Sequence, residues 1–462
     1  MTTPAMTTAG VAWDLLRARR GGEPGIAERQ QVRLRRLVNH ARVASPFYRE
    51  HLRDVPTAGW TLTDLPSVTK AELMADFDSW ITDPRFTHKR VSEFLASDAA
   101  VGTPLDGALI CTSSGVTGQP GIFVHDEFAV AVCQANIVMR GYLAWIRMPQ
   151  VAGFMRRGVR EATVVGTGGH FAGVGWLQRA RQRAPWVARV ISVHSAQSPI
   201  ATLTTELAAV DPTALVGYTS VLRLLADEQL AGRLHIRPLI AATSGETATD
   251  SDRAMLAQAF GCAIHETYAS SEGLFFGFGC TQRWLHVSAD WVVLEPVAAD
   301  GSATPAGQFS DSVLLTNLAN RTSPLIRYQL GDSVMRRPDP CPCGNPLPAF
   351  RVAGRRDDTL VLHDAADRPV AISPVAFGLL VETVPGVRNW QLVQLDETTL
   401  AVRVWSATET TSGSSTVVTQ AFCSRLTDVL RNHGLENVTL VVEAAELRPD
   451  PMNGKFRHVY AL

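Results

Sequence analysis

Cys111-Thr-Ser-Ser-Gly-Val-Thr-Gly-Gln-Pro120 lies between two short apolar runs, residues 108–110 and 122–124. It places two glycines and four hydroxyls within ten residues. The glycines let the backbone approach an anion closely, and the hydroxyls and amides supply donors to it. The stretch is not a P-loop of the Walker kind, because the Gly-Lys-Ser/Thr ending is missing and a strand rather than a helix is expected to follow. By itself it fits two readings, a phosphate cradle and a Ser- and Gly-rich hairpin turn.

Outward from this loop, between about 108 and 334, short apolar runs (162–165, 188–193, 215–217, 239–242) alternate with longer helical patterns (203–210, 220–229, 250–260). That alternation predicts an α/β architecture with largely parallel strands. Residues 291–296 and 312–317 read as antiparallel strands. Upstream, Val32, Leu34, Leu37, Val38 and Ala41 recur at helical spacing until Pro46 interrupts them, and Thr69 is placed to cap a further helix. After Gly354 the pattern becomes a strand at 359–363, a helix at 374–383, strands at 390–395 and 399–405, and a helix at 417–432. The expected organisation is a large α/β N-terminal domain with mixed sheets and helices, residues 1–354, and a small α+β C-terminal domain, residues 355–462.

Composition narrows the function classes. The 462 residues are too many for one ordinary core, and 46% of them are apolar. A net charge of -1 with scattered basic residues argues against a nucleic-acid partner. No apolar run approaches the roughly 20 residues of a membrane helix, and the N-terminus lacks a secretory pattern. Seven dispersed cysteines do not form a disulfide framework, so a cytoplasmic protein is expected. Of the 43 basic residues only Lys70, Lys89 and Lys455 are lysines. A GC-rich genome explains the bias, yet a lysine kept in a terminal segment invites a chemical reason.

Four further segments fall into order with the first. Ser114-Gly-Val-Thr-Gly-Gln-Pro120 resembles the phosphate loop of the adenylate-forming superfamily, which includes acyl-CoA synthetases, luciferase and adenylation domains. Tyr268-Ala-Ser-Ser-Glu272 resembles its Tyr-Gly-x-Ser/Thr-Glu motif, and Pro324-Leu-Ile-Arg-Tyr-Gln-Leu-Gly-Asp332 its Tyr-Arg-Thr-Gly-Asp region. Gly354-Arg-Arg-Asp-Asp358 resembles the interdomain hinge, and Gly454-Lys-Phe-Arg457 the terminal Gly-Lys. Arg42-Val-Ala-Ser-Pro-Phe-Tyr48 and Leu65-Pro-Ser-Val-Thr-Lys70 are similar to the phenylacetate–CoA ligase branch, with its coenzyme F390 synthetase-like members.

The resemblance implies attack of a carboxylate on the α-phosphorus of ATP with release of pyrophosphate, a reaction catalysed by positioning and by cationic or N–H donors. Ser113, Ser114, Gly115, Thr117 and Gly118 would hold the β- and γ-phosphates, with Gln119 where the family usually has lysine. Glu272 would coordinate Mg²⁺. Ser271 or Ser270 would contact the α-phosphate, and Asp332 the ribose hydroxyls. Ser244, Gly245 and Glu246 would flank adenine, with Tyr268 stacking on it. Arg355 would reach the ribose or phosphate. Asp357 would be the hinge of a mobile C-terminal domain, which brings Lys455 to the α-phosphate.

Cys341-Pro-Cys-Gly344, with Cys280 and His286, supplies three thiolates and an imidazole, a complete tetrahedral zinc set of the closed, structural type. Relatives in the branch carry a similar cluster; the other reading is unpaired cysteines with a surface or pocket histidine. Cys111, Cys133, Cys262 and Cys423 read as ordinary buried residues. Gly169, His170 and Phe171 fall where relatives line the acyl pocket, although a packed loop histidine fits equally well.

The substrate expected is a small, aromatic or otherwise compact acid. The acceptor stays open. Family CoA ligases continue past the hinge with an Arg-Gly-x-Asn-type turn, whereas residues 360–374 here are longer, polar and without that glycine. CoA, an amine, another small nucleophile or a carrier protein all fit, and a homodimer is a further expected partner. A nucleotide-binding relative without catalysis is a minor alternative.

Overall fold

The computed structural model describes residues 7–113, 121–167, 169–355, 360–372, 377, 384, 386–406, 416–443 and 457–461. Helices Thr8–Arg20 and Gly22–Ala44 open the chain and lay Val11, Leu15, Leu34, Leu37, Val38 and Ala41 into the main core. Pro46 ends this run by starting a new helix, Pro46–His51, whose N-cap Ser45 accepts the Tyr48 N–H at 3.2 Å. Thr69 and Glu72 form a reciprocal capping box at the helix Lys70–Ala75.

Strands β1 (Leu109–Thr112) and β2 (Ile122–His125) make an antiparallel hairpin with Thr112 opposite Ile122, so a strand does follow the Ser/Gly loop. The large sheet takes β3 (Glu161–Val165), β4 (Ile191–Ser195), β5 (Ala214–Gly217), β6 (Ile240–Ser244), β7 (Ile264–Tyr268), β8 (Gly277–Gly279) and β9 (Leu285–Val287). A separate sheet is built from β10 (Val292–Val297), β11 (Ser312–Asn317) and β12 (Tyr328–Gln329), and β13 (Asp332–Arg336) and β14 (Ala349–Arg355) return to the large one. Its order is β13-β14-β9-β8-β7-β6-β5-β3-β4.

Strands β4, β3, β5, β6 and β7 are mutually parallel. The loops that leave β3, β5, β6 and β7 therefore open on one edge, where α/β sheets bind their ligands. One expected strand is corrected. Residues 188–190 belong to the helix Pro185–Val190, because Pro185 at its first position fixes a helical φ, and strand β4 begins only at Ile191. Short apolar runs do not distinguish helix from strand by periodicity alone.

Helix Gly22–Ala44 is also tied to the sheet electrostatically. Asp290, fully buried, accepts from Arg140 Nη1 at 2.6 Å and lies 3.4 Å from Arg33 Nη1. The Arg33 guanidinium covers the Trp291 ring at 3.4 Å. Burial pushes the Asp290 carboxyl up, but Arg140 and then Arg33 pull it below the usual carboxylate range.

The C-terminal part has a hydrophobic core of its own, with Leu362, Trp390, Leu392, Leu400, Phe422 and Leu426 at its centre. It comprises the hairpin β15 (Leu360–His363) and β16 (Pro369–Ile372) and a sheet ordered β19-β18-β17-β20. The sheet strands are β17 (Val387–Asp396), β18 (Thr399–Ser406), β19 (Thr439–Val442) and β20 (Val459–Ala461). Helix Thr416–Asn432 turns Phe422, Leu426 and Leu430, at i, i+4 and i+8, into this core. The helix expected at 374–383 falls, apart from Phe377, outside the described residues. Among the described residues no single helix is long and apolar enough to cross a membrane.

Candidate active site

The site is assembled where β1, the loop after β3 and the turn after β7 meet. Thr112, the last residue of β1, is the junction: its N–H donates to the His170 carbonyl at 2.8 Å, and its carbonyl accepts from Ser271 Oγ at 2.7 Å. One residue on, Ser113 is buried and closes the neck of the Ser/Gly loop. Its N–H donates to the Gly121 carbonyl at 2.9 Å while its Oγ accepts the Gly121 N–H at 2.8 Å. Ser114, Gly115, Thr117, Gly118 and Gln119 lie outside the described residues, as do Asp357 and Lys455.

Glu272 follows in the turn after β7. It is only 4% exposed, and its Oε2 has no hydrogen-bond partner. A buried carboxylate oxygen left unpaired is costly. An oxygen of this kind, a hard anionic donor, fits a divalent cation such as Mg²⁺.

Two more expected residues are joined. The Tyr268 hydroxyl donates to Asp332 Oδ2 at 2.5 Å, and the Tyr268 ring meets Phe276 edge-on at 5.0 Å. Asp332 begins β13 directly opposite Arg355 at the end of β14, so the two strands bring these positions together.

The remaining loops have packing roles as well. Gly245 (φ +74°) takes the left-handed turn out of β6. Glu246 then accepts from the Ser220 N–H at 2.8 Å and the Ser220 hydroxyl at 3.0 Å, placing its charge on the N-terminus of the helix Thr219–Leu230. Ser244, at the end of β6, is half-buried. In the loop after β3, the Gly166 N–H donates to the Tyr218 hydroxyl at 3.1 Å, and burial pushes that phenol up to about 12. Gly169 packs so closely on Phe171 that an added Cβ would come within 3.1 Å of its ring. His170 is half-buried with its ring 5.6 Å from Phe94, and burial lowers its pKa.

Two residues that sequence reading passed over complete the junction. His125, at the end of β2, is fully buried and bonds the Ser271 carbonyl through Nε2 at 2.9 Å. Asn320 faces its other ring nitrogen at 3.2 Å. The available signal was a histidine closing an apolar strand next to the capping Asp126.

The cysteine cluster is a separate centre. Cys280, His286, Cys341 and Cys343 come together with their ligand atoms all within 4.8 Å of one another. Cys280 and Cys341 sulfurs are 3.8 Å apart, and His286 Nε2 is 3.1 Å from Cys343 Sγ. His286 Nδ1 bonds the Leu347 carbonyl at 2.8 Å, which turns Nε2 toward the thiols in the manner of an oriented metal ligand. The Gln282 N–H points at Cys280 Sγ, and Gly344 (φ +77°) makes the tight turn after Cys343. The donor set and its spacing fit zinc. Cys111 and Cys133 are buried as expected, whereas Cys262 and Cys423 are half-buried.

No protein-family profile matches the chain. Protein CapK of Staphylococcus aureus is 30% identical over 125 residues, 27% of this chain and 26% of CapK. The chain thus matches about a quarter of the length of that relative. Among solved structures, it is similar to a 2-hydroxyisobutyryl-CoA ligase in the postadenylation state with 2-HIB-AMP, with a TM-score of 0.66 and 18% identity over 95% of this chain and 89% of that one. It is also similar to the acyl acid amido synthetase AtGH3.15 in complex with 2,4-DB, with a TM-score of 0.63 and 12% identity over 100% and 95% of the two chains. A benzoate CoA ligase from Burkholderia xenovorans LB400 gives a TM-score of 0.51 at 16% identity over 78% and 70%. The chain has the α/β fold of the adenylate-forming superfamily.

Proposed function

We propose that this chain is an ATP-dependent, adenylate-forming ligase that activates a small carboxylic acid as its acyl-AMP and releases pyrophosphate, in the manner of the phenylacetate–CoA ligase branch. The observation that carries this reading is Glu272, a buried carboxylate with one oxygen unpartnered, in a turn bonded directly to the hairpin of the Ser/Gly loop. Ser114, Gly115, Thr117 and Gly118 hold the β- and γ-phosphates, and Ser113 clasps the loop that carries them. Ser271 or Ser270 lies toward the α-phosphate, Asp332 takes the ribose hydroxyls, and Tyr268 fixes Asp332. Mg²⁺ held by Glu272 would supply the positive charge that Gln119 does not. Arg355 and Lys455 supply the rest, Lys455 from a C-terminal domain, residues 355–462, that moves about Asp357.

ATP–pyrophosphate exchange over a panel of aromatic and short-chain acids tests the reading. Lys455→Ala is expected to abolish exchange while ATP binding stays measurable; unchanged exchange would remove Lys455 from the mechanism. Absence of exchange with every acid would favour a nucleotide-binding relative without catalysis.

The acyl acceptor is CoA or an amine-type nucleophile. The missing Arg-Gly-x-Asn-type turn after the hinge favours the second. Residues 360–372 form instead the hairpin β15–β16, whose exposed turn carries the pairs Arg368–Asp364 at 2.7 Å and His363–Asp367 at 2.8 Å. Mass spectrometry of reactions holding ATP, the exchanging acid and either CoA or an amine separates thioester from amide. The Cys280, His286, Cys341 and Cys343 cluster holds a structural zinc ion: closed by four protein ligands, it leaves no position for substrate.

A further inference from the structure

We infer that His125 is a positioning residue of the phosphate site, a neutral Nε2–H imidazole that locks the β1–β2 hairpin to the turn carrying Glu272. This inference rests on the ligase reading above and adds to it a residue outside the recognised segments. It follows from donor and acceptor bookkeeping around one buried amide.

Asn320 Oδ1 accepts two backbone N–H groups, from Thr322 at 3.1 Å and Ser323 at 3.2 Å, which fixes which end of the amide is oxygen. Its Nδ2 therefore faces β2, where one hydrogen goes to the Val124 carbonyl at 2.9 Å. The other meets His125 Nδ1 at 3.2 Å, and that ring nitrogen must be the acceptor. The ring proton then sits on Nε2, where it donates to the Ser271 carbonyl at 2.9 Å. An Nδ1–H imidazole would set donor against donor at Asn320 and leave the Ser271 carbonyl without this partner.

The same loop bonds β2 a second time. Ser323 Oγ donates to the Val124 carbonyl at 2.8 Å and accepts its N–H at 2.9 Å. His125 and Ser323 are fully buried and Asn320 is 1% exposed, so water does not substitute for these contacts. Three segments are thus clamped by one ring: the hairpin of the phosphate loop, the Ser271–Glu272 turn, and the loop leading to Asp332. Without the Nε2–H donor, the carbonyl before Glu272 is released, and the orphaned Glu272 oxygen loses its fixed position.

The test compares wild type, His125→Phe, His125→Gln and Glu272→Gln by calorimetric ATP binding, with EDTA and across a Mg²⁺ titration. Loss of a group that orients a metal ligand typically costs 10- to 100-fold in metal affinity. His125→Phe is expected to raise the Mg²⁺ half-saturation at least about tenfold. His125→Gln, whose amide N–H reaches toward the same carbonyl, is expected to restore most of the Mg²⁺ response. Phe matching wild type, or Gln falling as far as Phe, overturns the inference. On the unaltered protein, ¹⁵N-histidine NMR at neutral pH is expected to report the Nε2–H tautomer at His125, and an Nδ1–H signal overturns it whether or not the Phe variant folds. A wild type that binds no ATP, or a Glu272→Gln variant with full Mg²⁺ response, defeats the ligase reading itself and the inference with it.

Discussion

Removing the cation from the cysteine cluster should unfold the core that surrounds it well before the rest of the chain fails. Cys280, Cys341 and Cys343 bring three sulfurs against the fully buried His286, all ligand atoms within 4.8 Å. Without a cation, burial pushes the Cys343 thiol up to about 12, so in the empty cluster this thiol stays protonated. A divalent ion reverses this, because thiolate is the form it binds. Its stabilisation is set by mass action: free zinc at 1,000 times its dissociation constant contributes about 4 kcal/mol. For a domain of this size each kcal/mol moves the melting temperature by roughly 2 °C, so stripping the ion should lower it by roughly 8 °C.

The assay is differential scanning calorimetry of protein purified without added zinc, before and after a strong chelator, with elemental analysis of both samples. Cys341→Ser should reproduce the shift and make the variant insensitive to chelator. Less than a trace of zinc per chain, or a chelated protein melting within a degree of the untreated one, would refute the reasoning.

Glu272→Gln should lower pyrophosphate exchange by about 10²- to 10³-fold, the loss expected when one electrostatic contact to developing charge is removed; a loss under tenfold would place Glu272 outside the reaction. Asp290→Asn leaves Arg140 and Arg33 without their shared carboxylate and should cost about 3–5 kcal/mol by denaturant titration. His265, stacked on Trp145 at 4.7 Å, is lowered to about 4 by burial and then by Arg147. Because the unfolded chain takes up this proton at about pH 6.5 and the folded one only near 4, stability should fall between those values by roughly 2–3 kcal/mol as pH is lowered and level off below. His265→Phe keeps an aromatic partner for Trp145 and should flatten that slope; an unchanged profile would assign the acid sensitivity elsewhere.

The parallel strands of the large sheet were legible because buried strands read as continuous apolar runs between helical patterns. The exception, residues 188–193, marks where that signal stops: an apolar run does not say whether Pro185 opens a helix before the strand. The cluster of Cys280, His286, Cys341 and Cys343 was readable from residue type, since few environments assemble three thiols and an imidazole. Glu272, Tyr268 and Asp332 were legible through ordered segments, but the hydrogen bond from Tyr268 to Asp332 was not, because it joins β7 to β13 across 64 residues. Glu246 shows the converse. Its segment suggested adenine, while its carboxylate is bonded to Ser220, a contact set by how the loop after β6 crosses the start of a helix. His125 carries only the weak signal of a histidine closing an apolar strand, and Asn320 carries none; what identifies them is the direction of each N–H in a dry interior.

The link from Arg33 to Asp290 has a consequence for how the chain is made. Its partners are 257 residues apart, so during synthesis the helix Gly22–Ala44 emerges long before the carboxylate and the Trp291 ring that receive it. At about 5–20 residues per second that interval is roughly 10–50 s. Throughout it Leu34, Leu37 and Val38 can pack only on early partners such as Val11, Leu15 and Leu52, and the part of the helix face that Asp290 and Trp291 later cover is left to the ribosome surface and to chaperones.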